Sequence, residues 1–363
     1  MIAKTIAPLR QPLAGLKPQS RSFAALLSVA AATAYIAAFL GAGFAPWLWL
    51  QFACGIALGP LIALLFRIAH DCGHESHLAS RRLNRIVGRF SNLPSYHPYS
   101  LWILFHNWRH HTFTNLKDRD YIWVPLSKAE YDRRGPFGRA LARFYRTSLG
   151  VGAYYLCAIW LGKMISPRRA TVHKVRRVYI IDCFWVLGFF LAQLGVLAIG
   201  VAGPGAFAMR VLTAIVLPFL IYNWMVGFVS FLNHTHPAVP WFARREEWSF
   251  YIGQVHCTVH MGVPRWMIFF VTDLGLHGAH HIEPRIPIWG LTRAEDRIVA
   301  DAGAEIVLER WTLAKHRDIL RRCRLYDYDE HRWLDYDGRP TSPRLLPQTA
   351  VAQALRAITA LSA

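Results

Sequence analysis

Charge is scarce in this chain of 363 residues: Asp, Glu, Lys and Arg together make up 17%, against roughly 25% in ordinary soluble domains. Acidic side chains are the scarcer kind, 22 against 41 basic ones. With 54% of the residues hydrophobic, this balance excludes a disordered chain, a coiled coil and a collagen-like fibre. The six cysteines (Cys54, Cys72, Cys157, Cys183, Cys257 and Cys323) include no C-x-x-C pair, which argues against a disulfide framework, a thiolate zinc site or an iron–sulfur cluster. No G-x-G-x-x-G follows a strand pattern, and no His-Pro-Gly-Gly segment occurs. The chain therefore carries no visible electron-transfer module of its own. Internal repeats and low-complexity linkers are also absent.

Apolar residues are bunched instead. Between Arg21 and Arg67 there is no Lys, Arg, Asp or Glu. One bilayer crossing takes about 20 apolar residues, so this run holds two, with Gly41 to Pro46 as the turn. A second pair follows, separated by Val201-Ala202-Gly203-Pro204-Gly205. The expected spans are 22–42, 46–67, 178–200 and 211–232, two transmembrane helical hairpins. A cleaved signal peptide would be shorter and would not be followed at once by a second span. The uncharged stretch Thr147 to Gly162 is too short to cross and is expected to lie on the bilayer as an interfacial helix.

The formal net charge is +19. Nucleic acid is the usual partner of so basic a chain, but the distribution points elsewhere. Both short connectors lack Lys and Arg, whereas Lys4, Arg10, Lys17 and Arg21 precede the first span. Arg81, Arg82, Arg85, Arg89, Arg133 and Arg134 lie in the long middle segment. This is the positive-inside pattern. It predicts a multi-pass inner- or plasma-membrane protein with both termini and the middle segment cytoplasmic, and no nucleic-acid partner. The tail from about Arg293 reads as a soluble cytoplasmic helical cap. The chain divides into an N-terminal segment 1–21, a membrane domain 22–292 and a C-terminal cap 293–363.

All 17 histidines lie outside those spans. Three groups are informative: His70, His74 and His77 at i, i+4, i+7; His106, His110 and His111, with His106 facing His110 and, less well, His111; and His277, His280 and His281. His234 and His236 follow the fourth span. A lone histidine is ordinarily a hydrogen-bonded surface side chain. Clusters with helical spacing beside hydrophobic segments point to metal, because neutral imidazole is the commonest metal ligand. A single tetrahedral ion takes three or four protein ligands, so this many imidazoles suit two ions. Imidazole suits Zn, Cu, Fe and Ni alike, and the Glu-x-x-His signature of carboxylate di-iron bundles is missing. His256 and His260 form another i, i+4 pair, read as an interfacial helix with its polar residues facing water, the alternative being a role at a substrate head group or behind the metal ligands.

The pattern H-x-x-x-H, H-x-x-x-H-H, H-x-x-H-H beside two hairpins resembles the membrane fatty acid desaturase and hydroxylase superfamily. His70-Asp71-Cys72-Gly73-His74, the stretch His106 to Pro125, His234-Thr235-His236-Pro237 and His277-Gly278-Ala279-His280-His281 resemble its omega-6 (delta-12-type) acyl-lipid branch. The resemblance runs from about Leu48 to Leu291. His277 stands where front-end desaturases usually carry Gln. The resemblance implies an all-α integral membrane protein whose four transmembrane helices carry a cytoplasmic cap around a histidine-rich di-iron site. It implies two Fe2+ ions held by His70, His74, His106, His110, His111, His234, His277, His280 and His281, with His77 and His236 as further candidates. It also implies dioxygen as co-substrate, and an acyl-lipid, acyl-CoA or acyl-carrier-protein substrate in which a double bond is made.

Asp71, Glu75, Asp118, Asp120, Asp273 and Glu283 are candidates to accept the second N–H of those imidazoles. Tyr96, Tyr99, Trp102 and Trp108 are candidates to line an acyl tunnel. Electrons must come from a separate donor, a ferredoxin or cytochrome b5-like protein steered by the basic face. Within the superfamily the alternatives are a hydroxylase, an acetylenase or a carotenoid oxygenase. From a different class comes a histidine-rich metal transporter, disfavoured because its ligands would sit inside the spans.

Overall fold

The computed structural model of the chain describes residues 5–16, 21–167, 172, 176–264, 267, 276–302 and 305–345. Among them, four helices are long and apolar enough to cross a bilayer: Ser22–Phe44, Leu48–Gly73, Arg177–Ala198 and Pro204–His234. These are the two expected hairpins, but the second helix runs past residue 67 to Gly73 and the fourth begins before residue 211. The second has 26 residues, about 39 Å at 1.5 Å each, against a hydrocarbon core of roughly 30 Å. Its length therefore leaves room for a further turn or two beyond a crossing along the bilayer normal. Arg67, His70 and Asp71 ride on that extension, which is why charge alone marked the helix end too early.

The four spans are not equivalent. The second and fourth are 61% buried within the protein, the first and third only 22% and 17%. The second and fourth thus form the inner pair, and both carry histidines at the same end. Gly55 lets them close: a Cβ there would lie 2.3 Å from the carbonyl oxygen of Thr213, the small-residue contact usual where membrane helices meet. The Thr213 hydroxyl in turn donates to the Ala42 carbonyl at 2.7 Å, tying the first span to the fourth. Arg210 donates to the carbonyls of Leu197 and Ile199, satisfying the last acceptors of the third span.

Between the hairpins, the amphipathic helix Arg81–Asn92 starts at the Ser80 cap and is held to the third span by Arg89, whose Nε lies 2.5 Å from Asp182. A short helical segment, Gly150–Ile165, packs against the fourth span, and Trp123 stacks on its Tyr154 at 4.0 Å. The tail departs from the expected all-helical cap. Helices Leu291–Ala302 and Leu313–Arg322 alternate with strand Val307–Arg310, paired in parallel with Val259–Gly262, and with a small hairpin of Leu325–Asp327 and Arg332–Leu334. The alternating exposure of Val307–Arg310 is the two-residue period of a strand. Ile6 and Leu13 near the N-terminus, Ala279 and Ile282, and Leu291, Ala294 and Ile298 share one apolar cluster, so the N-terminal segment and the helix Leu291–Ala302 brace the third histidine group.

Candidate metal centre

Three local structures aim the histidines. His70 and His74 stand one turn apart at the end of the second span, with ring centroids 4.8 Å apart. His106–His110 forms a π-helical turn, closed by the His111 N–H on the His106 carbonyl at 2.9 Å. An i, i+5 turn places residue i+5, not i+4, over residue i. His106 therefore meets His111, with their Nε2 atoms 3.1 Å apart, and His110 points elsewhere. This corrects the pairing expected from ordinary helical spacing. On the helix His277–Ile282, His277 and His281 share a face, with Nε2 atoms 2.9 Å apart.

The result is two buried groups, His70, His74, His106, His111 and His280 in one, and His110, His234, His277 and His281 in the other. Within each, the ligating atoms lie within 4.8 Å of one another. His280 and His111 approach to 3.0 Å, as do His277 and His234. Nitrogen donors about 2.0–2.1 Å from a shared ion and roughly at right angles would stand about 3 Å apart, so this spacing fits a metal. Where Nδ1 carries the proton, as the acceptors beside it favour, facing Nε2 lone pairs are opposed unless an ion bridges them. Burial first, then the neighbouring imidazoles, hold His106, His111, His277, His280 and His281 well below the ordinary histidine range. Burial, followed by Arg67 and His110, lowers His74 to about 3. Neutral imidazole is the ligating form.

The outward nitrogens explain the orientation. His110 Nδ1 donates to Asp120 at 3.0 Å, and that carboxylate also accepts the backbone N–H groups of Asn115, Tyr121 and Ile122. His70 Nδ1 lies 3.1 Å from Asp71. His281 Nδ1 lies 3.0 Å from the Gln254 side-chain oxygen, and His234 Nδ1 lies 3.3 Å from the Cys257 carbonyl. In all four rings an acceptor on Nδ1 turns Nε2 inward, the usual support for a metal-bound imidazole. Below the histidines a narrow cleft of about 60 Å³ is walled by Phe66, Trp102, Tyr121, Ile122, Tyr155 and Val229, among others.

A family model described as fatty acid desaturase matches residues 46–313. The chain belongs to the fatty acid desaturase family. An sn-1 oleoyl-lipid 12-desaturase of Picosynechococcus sp. is 29% identical over 86% of this chain and 85% of its own length. The chloroplastic omega-6 fatty acid desaturase of Brassica napus is 29% identical over 79% of this chain. The matched part is 62% of that plant protein's length. An sn-1 acyl-lipid omega-3 desaturase (ferredoxin) of Nostoc sp. is 27% identical over 70% of this chain and 67% of its own. The present chain is thus a membrane oxidoreductase of the desaturase family, similar to the omega-6 branch.

Several further candidates of the desaturase stand apart from the two histidine groups. His77 is buried with its Nε2 2.8 Å from the Ser28 hydroxyl, and His236 lies 3.5 Å from Glu309. Glu75 pairs with Arg81 at the surface, Asp118 is exposed, and Asp273 lies outside the described residues. Glu283 is buried beside Arg285. Trp102 stacks on His106 at 4.6 Å and walls the cleft. Tyr99 is buried against Gly88, Tyr96 donates to Gln193 at 2.6 Å, and neither reaches the cleft wall. Trp108 is 68% exposed. His256 and His260 do not share a helix. The helix ends at Val255, and His260 sits in a strand, buried, with Nδ1 2.7 Å from Glu295.

Sequence reasoning missed Gln254, Thr114, Tyr121 and Tyr155. Gln254 also donates to the His111 carbonyl at 2.9 Å. Its one signal was position, two residues before His256 in a stretch already marked by histidines.

Proposed function

We propose that this desaturase makes a double bond in an acyl chain of a membrane lipid, consuming dioxygen and two electrons from a separate donor. The observation that carries this reading is the pair of buried imidazole groups, five and four in number, at the head of an apolar cleft. No side-chain acid or base can take hydrogen from an unactivated methylene. Two ferrous ions, when bound, would supply the oxidising power that dioxygen chemistry requires. His70, His74, His106, His111 and His280 would hold one, and His110, His234, His277 and His281 the other.

The remaining steps belong to the chain's own residues. Asp71, Asp120 and Gln254 keep the ligating rings turned inward, so geometry is set before substrate arrives. Phe66, Ile122, Val229 and Trp102 supply a dry wall against which two adjacent methylenes can be held, and they exclude water. The net change is loss of one hydrogen from each of two neighbouring carbons, with dioxygen, two electrons and two protons leaving as two waters.

The positive-inside distribution supports a multi-pass arrangement in an inner or plasma membrane with the histidine end cytoplasmic and the short helix Gly150–Ile165 at the interface. A basic face on that side suits an acidic ferredoxin or a cytochrome b5-like donor. Expression in a bacterium lacking polyunsaturated lipids tests the reading. A new double bond in the host fatty acids, lost in His110→Ala and His280→Ala, is the expected result. An unchanged lipid profile with active expression overturns it.

A further inference from the structure

Whenever dioxygen is reduced and no acyl chain is in place, the oxidant has no methylene to attack, and the side chains around the histidines become its targets. Two phenols wall the cleft beneath the histidines, Tyr121 and Tyr155. The Tyr121 ring centroid lies 6.4 Å from that of His110. Tyr121 also walls a separate cavity of about 590 Å³, shared with Tyr154 and Cys157 of the short helix Gly150–Ile165, and it interacts electrostatically with Tyr154. The Tyr154 ring meets Tyr145 edge to face at 5.4 Å. The Tyr145 hydroxyl is hydrogen-bonded to the Cys157 thiol, which is exposed. A file of oxidisable side chains thus runs from beside a metal ligand to the surface.

The other oxidisable side chains that wall the cleft end inside the protein. Trp102 stacks on His106 at 4.6 Å, but its neighbour Tyr99 is 3% exposed and ends against Gly88. Tyr155 is bonded to His97, itself buried. Trp123 stacks on Tyr154 at 4.0 Å, but the Arg146 guanidinium sits over its ring at 5.5 Å. A cation on that face opposes removal of an electron from the indole. A phenol that also gives up its proton is left neutral and escapes this penalty, so the path stays on the tyrosines. The cavity gives the phenol protons an outlet. It has room for several waters at about 30 Å³ each, and the exposed Asp118 and Arg119 line it.

We propose that Tyr121, Tyr154, Tyr145 and Cys157 form a relay that draws oxidising equivalents away from the metal site when no acyl chain is bound. The relay rests on the desaturase reading and adds a protective function to it. With the donor's two electrons already on dioxygen, two oxidising equivalents remain. Tyr121 yields one electron to the oxidant and its phenol proton to the cavity, and is refilled in turn through Tyr154, Tyr145 and Cys157. Two such passages break the S–H bonds of Cys157 and of a soluble thiol and form one S–S bond between them. The two electrons and two protons released, with the donor's two electrons and two protons, convert dioxygen into two waters.

The test uses the iron-loaded, full-length protein in detergent, freed of lipid and reduced without air by two electrons per chain. It is then mixed with oxygenated buffer containing free cysteine and catalase. Samples frozen during the reaction are read by electron paramagnetic resonance, and Cys157 is afterwards mapped by mass spectrometry. A transient phenoxyl radical followed by a cysteine adduct on Cys157 is the expected result. Tyr154→Phe should lose the adduct while keeping desaturation. Tyr145→Phe, at a half-buried position, should do the same and serves if the first variant does not fold. Equal adduct on metal-free protein or in both variants overturns the relay, as does an adduct that forms only when catalase is left out. Adding an oleoyl phospholipid should suppress radical and adduct as double bonds form. Desaturation of that lipid by a protein whose Cys157 is never modified sinks the relay and spares the desaturase reading. Radical and adduct with no double bond made would do the reverse.

Discussion

The Asp71 carboxylate accepts the backbone N–H of Ile288 at 2.8 Å, across 217 residues of chain, while its other oxygen faces His70 Nδ1 at 3.1 Å. The same oxygen lies 3.2 Å from the Arg67 guanidinium, and both side chains are 1% exposed. One carboxylate thus orients a first-group histidine, anchors the segment after the third group and balances a buried cation.

Asp71→Asn keeps an acceptor for Ile288 but turns an amide N–H toward donors and leaves Arg67 uncompensated. Metal affinity should fall by about 10–100-fold, and stability by about 3 kcal/mol, the usual result of breaking a buried ion pair. Chelator competition and thermal unfolding in detergent measure the two effects separately.

Gly278 lies between two candidate ligands, and a Cβ there would approach His260 Nε2 to 2.3 Å. His260 is pinned from behind by Glu295 at 2.7 Å and cannot swing away cheaply. Gly278→Ala should therefore displace His277 and His280 and lower metal content to well under half, on the order of the tenfold or greater affinity loss expected for misplaced ligands. Adding His260→Ala should restore part of the metal. Metal analysis of the single and double variants decides the matter, and no rescue would mean that the contact is not what limits the helix.

His77 and His236 make contacts of their own away from both groups. His77→Ala and His236→Ala should leave metal stoichiometry unchanged, whereas His110→Ala should deplete it. Parallel metal determinations on the three purified variants check this.

Protonation works against the site in a definite direction. His106, His111, His277, His280 and His281 are held well below the ordinary histidine value by burial and by one another. Between that lowered range and about pH 6.5, the unfolded chain binds protons that the folded protein refuses. The stability they contribute is complete above about pH 6.5 and is lost as pH falls, by up to about 1.4 kcal/mol per pH unit for each histidine. Unfolding temperatures of the metal-stripped protein at pH 8 and pH 5.5 should show the lower value at acid pH.

What was legible in the sequence follows periods and runs. The uncharged stretch from residue 22 to residue 66 marked the first hairpin because a bilayer reads composition directly. Histidines recurring at helical spacing marked the three groups. The division between the groups was not legible, since it depends on a π-helical turn at His106–His110 that substitutes His111 for His110 opposite His106. Gln254 and the Cys257 carbonyl escaped because an amide and a backbone oxygen carry no charge pattern. The strand Val307–Arg310 was hidden within a tail whose charges looked helical, and its partner Val259–Gly262 lies beyond the fourth span. His260 was read as water-facing because Glu295, which buries it, is distant in the chain.

Elemental analysis of purified, active protein decides whether imidazoles from distant segments enclose a pair of irons. Two irons per chain is the predicted result. A single zinc per chain, or activity without metal, would rule out a di-iron centre.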